Sequence, residues 1–493
     1  MSLSNSKVLV VGAGIAGLAA AIRLRAAGHE VMVFDQNPYV GGKLAECIAD
    51  GYRFDMGPSL FTMPAYVEEL FALCCKDIQR YFSYTREDVL CKYHFEDGTR
   101  FTAYADREKY IREACSTFDV QPSVLRNYLE RNTFKYERTR RLFLEKSLHR
   151  LSTYLSRETI RGVMAMPRLD MMRSLHDVHR RTFKDSRLIQ LFDRYATYNG
   201  STPYRAPGIM SLIPHLEMDI GTYFPKGGMI AIPRALHRLA LDIGVKFELG
   251  SRVDEMVVQK NRVVGIRIGA ETITADIVVC NSDVHAAYTN LLPNIPPPRK
   301  VMQQERSSSG IIFYWGVQRK FPELQLHNIF FAKDYRREFD WIAENGEWHN
   351  DPTVYLNITS KKEDSDAPAG CENWFVMINV PARSEKNWDT IVQLARQAVI
   401  DKLSRQLGVD LGKLIACERV LTPALIEQRT SSYLGALYGS ASNDRMSAFL
   451  RHPNFHSTID GLYFCGGSVH PGGGIPLCLL SGKIVSEIIA SRS

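Results

Sequence analysis

Short apolar runs separated by glycines and polar residues open the chain. Residues 7–11 are almost all apolar, as in a strand buried inside a parallel sheet, and the glycine-rich stretch Gly12–Gly17 follows at once. Residues 18–27 are rich in Ala, Leu and Arg, which favour helix. A second apolar run, Val31–Phe34, ends at Asp35. The pattern predicts a strand, a glycine turn, a helix and a second strand that ends in an acid.

The glycine turn has the spacing of a dinucleotide-binding unit. Gly12 permits a tight turn, Gly14 lets a pyrophosphate approach the backbone, and Gly17 lets the helix pack on the strand. Asp35 lies 23 residues after Gly12 and can accept hydrogen bonds from ribose hydroxyls. The N-terminus of the helix offers N–H groups to phosphates. These surroundings favour dinucleotide binding over the alternative, a turn that only packs a helix on a strand.

The same order of elements returns near the other end of the chain. Residues 460–468 have the pattern of a strand that ends in a glycine turn, and a glycine-rich loop over residues 469–476 follows. Residues 477–490 are then predicted to form an apolar helix. Strand patterns also occur over residues 245–253 and 275–283. We expect this second helix N-terminus to point at a bound group as well.

Two long inserts separate these segments. The first, roughly residues 90–215, has helical spacing, many Arg residues and no strand-like alternation. The second, roughly residues 300–420, contains strand-like runs at 310–317, 353–358 and 374–380. These runs are interpreted as core strands, or as a sheet that also forms the floor of an apolar tunnel.

Four motifs together resemble the flavin amine oxidase and phytoene desaturase superfamily. They are a double glycine followed by a lysine, an Asp-x-Gly-Pro turn, a Phe-Pro-x-Gly-Gly stretch and a His-Pro-Gly-x-Gly-Ile-Pro loop, at Gly41–Leu44, Asp55–Pro58, Tyr223–Leu236 and His470–Pro476. The last motif resembles the C-terminal signature of the bacterial phytoene desaturase type of carotenoid desaturase. The resemblance covers essentially the whole chain and implies FAD as the cofactor.

The resemblance also implies which residues bind FAD. Asp35 departs from the many members that carry Glu there, but its carboxylate can do the same job. Lys43 would neutralise cofactor phosphate or stabilise anionic reduced flavin, and the alternative is a solvated surface lysine. The implied set is Gly12, Gly14, Ile15, Ala16, Gly17, Asp35, Gln36, Gly42, Lys43, Leu44, Gly57, Pro58, Ser59, Leu60, Val253, Asn281, Gly467, Gly474, Ile475 and Pro476.

The expected fold is α/β, with a Rossmann-like FAD-binding domain assembled from discontinuous segments. That domain is assigned to residues 1–90, 220–300 and 420–493. A mixed-sheet substrate domain is assigned to residues 300–420 with parts of 90–125 and 195–220. Residues 126–194 are predicted to form a helical basic region that associates with membranes.

The activity implied by the resemblance is FAD-dependent desaturation of a carotenoid in carotenoid biosynthesis. Such a reaction removes hydride to flavin N5, because the polyene delocalises the resulting cation, and a proton then leaves the adjacent carbon. No metal and no catalytic triad are expected. Weak candidates for an assisting group are Glu217, His215, Arg205 and His470, with Asp219 nearby. A salt bridge or a satisfied core group is the alternative interpretation for the first three, and backbone organisation for His470.

Several alternatives stay open at this point. The sequence leans toward a later desaturase of the 1-hydroxycarotenoid 3,4-desaturase type, with phytoene desaturase as the alternative. A non-redox flavin carotenoid isomerase and a prenyl-lipid binding module are alternatives of another class, and a polyamine or amino-acid oxidase fits the C-terminal motif poorly. Oxygen or a membrane quinone is the expected electron acceptor rather than a nicotinamide, because no second nucleotide fingerprint is apparent in the sequence. The carotenoid, the bond, the number of steps, the proton acceptor and the oligomeric state are not specified.

Composition narrows the cellular setting. The chain has 493 residues, of which 45% are hydrophobic and 23% charged, as in ordinary globular proteins. Its ten cysteines form no C-x-x-C pattern, and no signal peptide is apparent at the start. No apolar run reaches the length of a membrane span. We therefore expect free thiols, a cytoplasmic protein and, at most, peripheral contact with membranes.

The positive charge is concentrated in one segment. The net charge is +7, and residues 126–194 hold 17 Lys/Arg against 8 Asp/Glu, interleaved with apolar residues. A carotenoid dissolves only in lipid, so a basic amphipathic helical surface there would bind anionic bilayers and admit the substrate. A solvated helical face is the alternative, and nucleic acid is not an expected partner. Charge reversal at Arg138, Arg140 and Arg141 is predicted to weaken liposome binding without loss of FAD.

Overall fold

A computed structural model describes residues 6–154, 162, 164–383, 387–444 and 450–492. It contains two large sheets whose strands come from distant parts of the chain. The 126–194 segment therefore lies within the described residues except for residues 155–161 and 163.

The first large sheet has five parallel strands in the order β10-β2-β1-β14-β20. Its strands come from all three segments that the sequence assigns to the cofactor domain. Their bounds are Lys7–Val11 (β1), Glu30–Asp35 (β2), Lys246–Leu249 (β10), Ile277–Cys280 (β14) and Leu462–Phe464 (β20). This order brings the carboxyl ends of β1 and β14, where Gly12 and Asn281 follow, to one edge of the sheet.

Three helices cover this sheet and pack tightly on one another. The helices Ile15–Ala26 and Ile475–Ala490 approach so closely that a Cβ on Gly482 would lie 2.8 Å from the carbonyl oxygen of Ala16. The first helix is buried along almost its whole length, which its alanines permit because they are small. The third helix, Ala231–Asp242, packs against the first.

The second large sheet is mixed and has seven strands in the order β19-β15-β18-β17-β16-β7-β8. All pairs of neighbouring strands in this sheet are antiparallel except the pair β16 and β7, which is parallel. Its bounds are Val89–His94 (β7), Arg100–Tyr104 (β8), Ser309–Val317 (β15), His327–Phe330 (β16), Val354–Asn357 (β17), Glu372–Val380 (β18) and Ile415–Leu421 (β19).

The start of the first insert differs from the sequence prediction. Residues 90–215 showed no strand-like alternation, yet β7 and β8 form a hairpin at the edge of the second sheet. The strand β7 is buried at four of its six positions, so its apolar residues do not alternate with polar ones. A strand covered on both faces loses the period-two signal that would reveal it.

Smaller sheets complete the strand set. A three-stranded antiparallel sheet is formed by β11-β12-β13, a hairpin by β3-β4, and a second three-stranded sheet by β5-β9-β6. Their bounds are Glu46–Ala49 (β3), Tyr52–Asp55 (β4), Phe61–Thr62 (β5), Tyr84–Arg86 (β6), Thr222–Pro225 (β9), Glu255–Gln259 (β11), Arg262–Ile268 (β12) and Glu271–Thr274 (β13).

The remaining longer helices lie mainly in the two inserts, and several of them fall in the described part of the basic segment. No described helix is both long enough and apolar enough to cross a membrane. The bounds are Ala65–Leu73, Arg107–Thr117, Pro122–Thr139, Leu175–Thr182, Ser186–Asp193, Trp388–Leu407 and Pro423–Thr430.

Candidate functional site

One continuous cleft runs from the carboxyl edge of the five-stranded sheet to one face of the seven-stranded sheet. The volume of the cleft is about 500 Å³, and part of the cleft is open to solvent. The glycine turn after β1 lines one end, and side chains from five strands of the mixed sheet line the other. A polar region and an apolar region therefore share one cavity.

The glycine turn is held in place by close contacts between backbone atoms. The amide of Gly12 donates to the carbonyl oxygen of Phe34 at 2.7 Å, which ties the turn to β2. A Cβ on Gly17 would lie 2.1 Å from the carbonyl oxygen of Gly12, so only glycine fits there. Gly14 caps the helix Ile15–Ala26 without a side-chain hydrogen bond, and the first turn of this helix carries no acid. The N-terminal amides of the helix are therefore free to bind a phosphate.

Asp35 lies at the end of β2 beside this turn. Its carboxylate accepts hydrogen bonds from the amides of Ala13 at 2.7 Å and Asn37 at 2.8 Å. Burial raises the pKa of Asp35, and these hydrogen bonds oppose the shift. The carboxylate reaches the cleft from a fixed position, as a ribose ligand requires.

The double glycine brings a second stretch of backbone against the turn. Gly41 donates to the carbonyl oxygen of Ala13 at 2.9 Å, and Gly14 and Gly41 form a parallel bridge. Gly57 then approaches so closely that a Cβ on it would lie 1.9 Å from the carbonyl oxygen of Lys43. The Gly41–Leu44 and Asp55–Pro58 motifs thus form one wall of the cleft.

Asp55 joins two motifs that are distant in sequence. Its carboxylate accepts from the amides of Met229 and Ile230 at 2.9 and 3.3 Å, and Arg53 pairs with it at 3.0 Å. The Phe-Pro-x-Gly-Gly stretch is therefore anchored to the Asp-x-Gly-Pro turn. Sequence analysis assigned both motifs to the cofactor domain but did not predict this link.

Lys43 is not a solvated surface lysine. Its ammonium donates to the carbonyl oxygens of Ala436 at 3.1 Å and Leu437 at 2.7 Å, and its side chain lines the cleft. Burial lowers its pKa, and the charge of Asp283 opposes that shift. The lysine therefore ties the loop at 436–437 to the wall of the cleft and brings positive charge to it.

The C-terminal loop places a second helix N-terminus at the cleft. Gly474, Ile475 and Pro476 line it, and the helix that begins at Ile475 has no side-chain cap. Buried Arg451 donates to the carbonyl oxygens of Tyr438 at 2.7 Å and Gly467 at 3.3 Å, which fixes the loop. Asn454 donates to the carbonyl oxygen of His470 at 2.8 Å. The sequence analysis missed both of these residues, because each acts through the backbone of a motif rather than within one.

The cleft gathers the residues implied for cofactor binding. Gly17 is the one member of that set that does not line the cleft, since it packs behind Gly12. The others line it: Gly12, Gly14, Ile15, Ala16, Asp35, Gln36, Gly42, Lys43, Leu44, Gly57, Pro58, Ser59, Leu60, Val253, Asn281, Gly467, Gly474, Ile475 and Pro476. Two uncapped helix ends, a fixed carboxylate and glycines without room for a Cβ fit a dinucleotide.

The candidate assisting groups do not line the cleft. Arg205 forms an exposed salt bridge with Glu305 at 2.7 Å, and His215 pairs with Asp219 at 2.6 Å. His470 is buried and its Nε2 contacts the carbonyl oxygen of Lys146 at 2.9 Å. Each therefore has a structural partner away from the cavity.

Glu217, the fourth candidate, lies directly behind the cleft wall. Its carboxylate accepts a short hydrogen bond from Tyr198 and lies 3.4 Å from the guanidinium of Arg194. Arg194 and Tyr198 both line the cleft. Arg194 also donates to the hydroxyl of Tyr93 at 2.6 Å. This buried cluster of charge and phenols borders the apolar region and was not predicted from the sequence.

The apolar region of the cleft is built by one face of the mixed sheet. That face is presented to the cavity by alternate residues of its strands, whereas the opposite face packs under the helix Trp388–Leu407. One face of these strands thus lines the cleft, and the other face is part of a hydrophobic core. The residues facing the cavity are Ile312, Ile329, Tyr355, Phe375, Met377 and Leu421.

The described residues contain neither a disulfide nor a cluster of metal-ligating side chains. No group of three or more His, Cys, Asp or Glu within the described ranges is placed to hold a metal ion. All ten cysteines lie in the described part of the chain and are free.

Comparison with known proteins gives the same assignment. The family model for flavin-containing amine oxidoreductases matches residues 15–490. The chain is 50% identical to the 1-hydroxycarotenoid 3,4-desaturase of Flavobacterium sp. (strain P99-3), and the match covers 99% of both chains. It is 32% identical to the 4,4'-diapolycopene oxygenase of Methylomonas sp, again over 99% of both.

Solved structures share the fold at low sequence identity. An oxidoreductase from Methanosarcina mazei superposes with a TM-score of 0.66 at 15% identity, covering 98% of this chain and 100% of that one. Putrescine oxidase bound to putrescine gives 0.64 at 14% identity over 99% of both chains. The motif-based resemblance is confirmed, and the chain belongs to the flavin-containing amine oxidoreductase family as an oxidoreductase homologous to carotenoid desaturases.

Proposed function

We propose that the protein is an FAD-dependent desaturase that introduces the 3,4 double bond of a 1-hydroxycarotenoid. The observation that carries this proposal is the joining of a dinucleotide cradle to an apolar, aromatic-walled region in one cleft. A long hydrocarbon makes apolar contacts along such walls, whereas a small charged amine would leave most of the apolar surface without a contact. The relative with 50% identity supports the choice of carotenoid and bond.

FAD is the flavin that best matches the cradle. Asp35, whose carboxylate is held by backbone amides, and Val253 both line the cleft. A flavin mononucleotide lacks the adenosine ribose that Asp35 would bind in FAD. Bound FAD would supply the acceptor for a hydride, that is, for two electrons and one proton.

The chain's own residues align the substrate and keep water away. The mixed-sheet face supplies aliphatic and aromatic contacts along the hydrocarbon, through Ile312, Phe375 and Met377 among others. The helix end at Ile475 and the ammonium of Lys43 give the cofactor region a positive potential. This potential stabilises negative charge on the reduced cofactor.

The source of the substrate is proposed to be a bilayer. Four large apolar side chains of the basic segment are exposed, with fractional exposures of 48% for Tyr154, 78% for Met164, 51% for Met166 and 74% for Met172. Exposed basic residues, Arg138 and Arg141 among them, lie in the same segment. Apolar side chains beside basic ones suit the interface of an anionic membrane. The protein would thus be a peripheral membrane protein of the cytoplasm, reoxidised by oxygen or a membrane quinone.

The charge of this segment is not all at the surface. Lys135 is buried and pairs with Asp170 at 2.7 Å, and Arg194 is buried beside the cleft. Both have structural roles, so the surface charge is smaller than the sequence count of the segment.

Product mass tests the proposed reaction. Purified enzyme with bound FAD is incubated with a 1-hydroxycarotenoid in detergent or liposomes, and the product is analysed by mass spectrometry. A product two mass units lighter is expected, with a visible spectrum shifted to longer wavelength. An unchanged mass would indicate an isomerase, an added oxygen atom would indicate an oxygenase, and conversion of phytoene alone would indicate an early desaturase. Any of these three results overturns the proposal.

A further inference from the structure

The substrate's hydroxyl must lie close to the reacting bond. In the name of the 50% identical relative, the hydroxyl is on carbon 1 and the new double bond joins carbons 3 and 4. Only carbon 2 intervenes between carbons 1 and 3, and because each bond is about 1.5 Å long, the hydroxyl lies within about 5 Å of both reacting carbons. The group that recognises the hydroxyl must therefore line the cleft near the cofactor rather than at a remote end.

A chain of hydrogen bonds meets the cleft at such a position. Ser59 lies in the Asp-x-Gly-Pro segment that forms the cofactor wall, and its Oγ is 2.7 Å from the hydroxyl oxygen of Tyr355 on β17. That hydroxyl oxygen is in turn 2.7 Å from Nδ1 of buried His327 on β16. Ser59 and Tyr355 both line the cleft. The remaining neighbours of Ser59 along the wall include apolar Pro58 and Leu60.

The direction of these hydrogen bonds follows from one further contact. Asn357 Nδ2 is 3.2 Å from His327 Nδ1, and an amide nitrogen can only donate. Nδ1 therefore accepts, which makes Tyr355 a donor to it. The oxygen of Tyr355 then accepts from the hydroxyl of Ser59. The single hydrogen of Ser59 is used within the chain, and the lone pairs of its oxygen are left for the cleft.

The state of His327 supports this direction. Burial and the positive charges of Arg194 and Lys362 lower the pKa of His327 to about 3, so its ring is neutral at physiological pH. A neutral ring keeps one nitrogen as an acceptor.

We infer that Ser59, oriented by Tyr355 and His327, accepts a hydrogen bond from the substrate's hydroxyl and so selects hydroxylated carotenoids and sets which bond faces the cofactor. This inference rests on the proposed function. Ser59 is the contact residue, whereas Tyr355 and His327 are positioning residues. A carotenoid without the hydroxyl leaves Ser59 with an unsatisfied acceptor beside an apolar wall, which disfavours its binding.

A pair of substrates tests the inference. The kcat/KM values of wild type, Ser59→Ala, Ser59→Thr and Tyr355→Phe are measured for a 1-hydroxycarotenoid and for the matching carotenoid that lacks the hydroxyl. Ser59→Ala is expected to lower the ratio of kcat/KM for the hydroxylated substrate to kcat/KM for the other substrate about 3- to 10-fold. Ser59→Thr should retain the preference, because it keeps the hydroxyl. Ser116→Ala, an exposed serine on the helix Arg107–Thr117, is the matched control and should change neither value.

Two outcomes overturn the inference, and a third concerns the proposed function alone. An equal loss for both substrates, or an unchanged preference in Ser59→Ala, shows that Ser59 does not read the hydroxyl. If Ser59→Ala lacks FAD, the preference of Tyr355→Phe decides instead, since a loss of preference is expected there too. If wild type converts neither substrate, the proposed reaction fails. The hydroxyl preference is then measured as the ratio of the two Kd values in wild type and Ser59→Ala, by quenching of flavin fluorescence.

Discussion

The side-chain amide of Asn281 donates a hydrogen bond to the carbonyl oxygen of Gly12, with 3.0 Å between the two atoms. These residues follow adjacent parallel strands, β14 and β1. A Cβ on Gly14 or Gly17 would lie 3.0 or 2.9 Å from the same amide nitrogen. One asparagine thus braces the turn that would hold the cofactor's pyrophosphate and explains why two of its glycines carry no side chain.

Replacing Asn281 with Ala is expected to loosen the turn and weaken FAD binding. A hydrogen bond of this kind contributes about 1 kcal/mol, so the Kd of FAD should rise roughly 5-fold. Fluorescence titration of the apoprotein with FAD measures this. Asn127→Ala, at an exposed helical position, should leave the Kd unchanged. An unaltered Kd in Asn281→Ala would contradict the bracing role.

Gly17→Ala should be much more damaging than its single methyl group suggests. The new Cβ would lie 2.1 Å from the carbonyl oxygen of Gly12, and this neighbour is backbone. Overpacking of a buried site costs about 1–3 kcal/mol, and here the shift also moves the cofactor turn. We expect a protein with a lowered Tm and little bound flavin. Thermal unfolding measures the Tm, and flavin absorbance at about 450 nm measures the bound cofactor.

The control for this variant is Gly412→Ala, where the nearest atom lies 3.5 Å from the added Cβ. Its Tm and flavin content should match those of wild type. Equal flavin content in Gly17→Ala would show that the turn can move without loss of the site.

Glu338 gives the folded state a dependence on pH. Burial raises the pKa of this carboxyl to about 7 from its ordinary value of 4.5, although hydrogen bonds from Thr353 lower it. The folded state then binds a proton more tightly than the unfolded state, so this contribution is fully present below pH 4.5 and is lost as pH rises through 7. The loss is at most about 3 kcal/mol.

Glu338→Gln removes this titration. Its stability relative to wild type, measured by chemical denaturation, should therefore improve between pH 5 and pH 8. Glu344→Gln, at an exposed position, should follow wild type across the same range. A parallel pH profile for wild type and Glu338→Gln would contradict the assignment.

Two of the candidate assisting groups, Glu217 and Arg205, are expected to respond differently to substitution. Glu217→Gln leaves the guanidinium of Arg194 without its carboxylate, and breaking a buried pair costs about 3–5 kcal/mol. We therefore expect a marked fall in Tm and in turnover. Arg205→Ala breaks only an exposed bridge, worth about 0–1 kcal/mol, and should leave turnover unchanged. Steady-state kinetics and thermal unfolding distinguish these cases, and a large loss of kcat in Arg205→Ala would contradict this ranking.

Membrane binding is tested by reversing exposed charges. Arg138→Glu combined with Arg141→Glu should weaken binding to anionic liposomes at least about 10-fold, because each basic residue contributes about 1 kcal/mol near such a surface. Arg140 is left in place, since its hydrogen bond to Tyr136 raises its pKa and its reversal would disturb the packing. FAD content should be unchanged.

Two further variants complete the membrane test. Lys260→Glu with Arg262→Glu reverses two charges on the small antiparallel sheet and should bind liposomes as wild type does. Met172→Ser should weaken binding without changing the charge, because that side chain is 74% exposed. Equal cosedimentation of all these variants would refute the proposed surface.

The cofactor site was largely predictable from the sequence. Glycines that approach backbone, such as Gly12 and Gly57, occur in motifs because the same close contacts recur wherever this cofactor is held. Asp35 was predictable because its position follows from the length of one strand-helix-strand unit. Local spacing carries this kind of information.

The rest depends on contacts between distant segments. Glu217, Arg194 and Tyr93 meet only because the helical insert packs on the edge of the mixed sheet. The serine, tyrosine and histidine of the proposed hydroxyl site come from three separate segments and share no spacing. Strand β7 was missed because burial on both faces removed its alternation. No window of sequence contains these relationships.

The order of the five-stranded sheet has a consequence for biosynthesis. Strand β20, the loop after it and the start of the helix Ile475–Ala490 complete the cleft, although Gly12 begins it, about 450 residues earlier. A ribosome adds roughly 5–20 residues per second, so roughly 20–90 s pass between synthesis of the first glycine turn and synthesis of the last segment that lines the cleft. During translation the nascent chain has no finished place for a nucleotide. Flavin would therefore be acquired after β20 has been synthesised, and until then one edge of β14 has no partner strand.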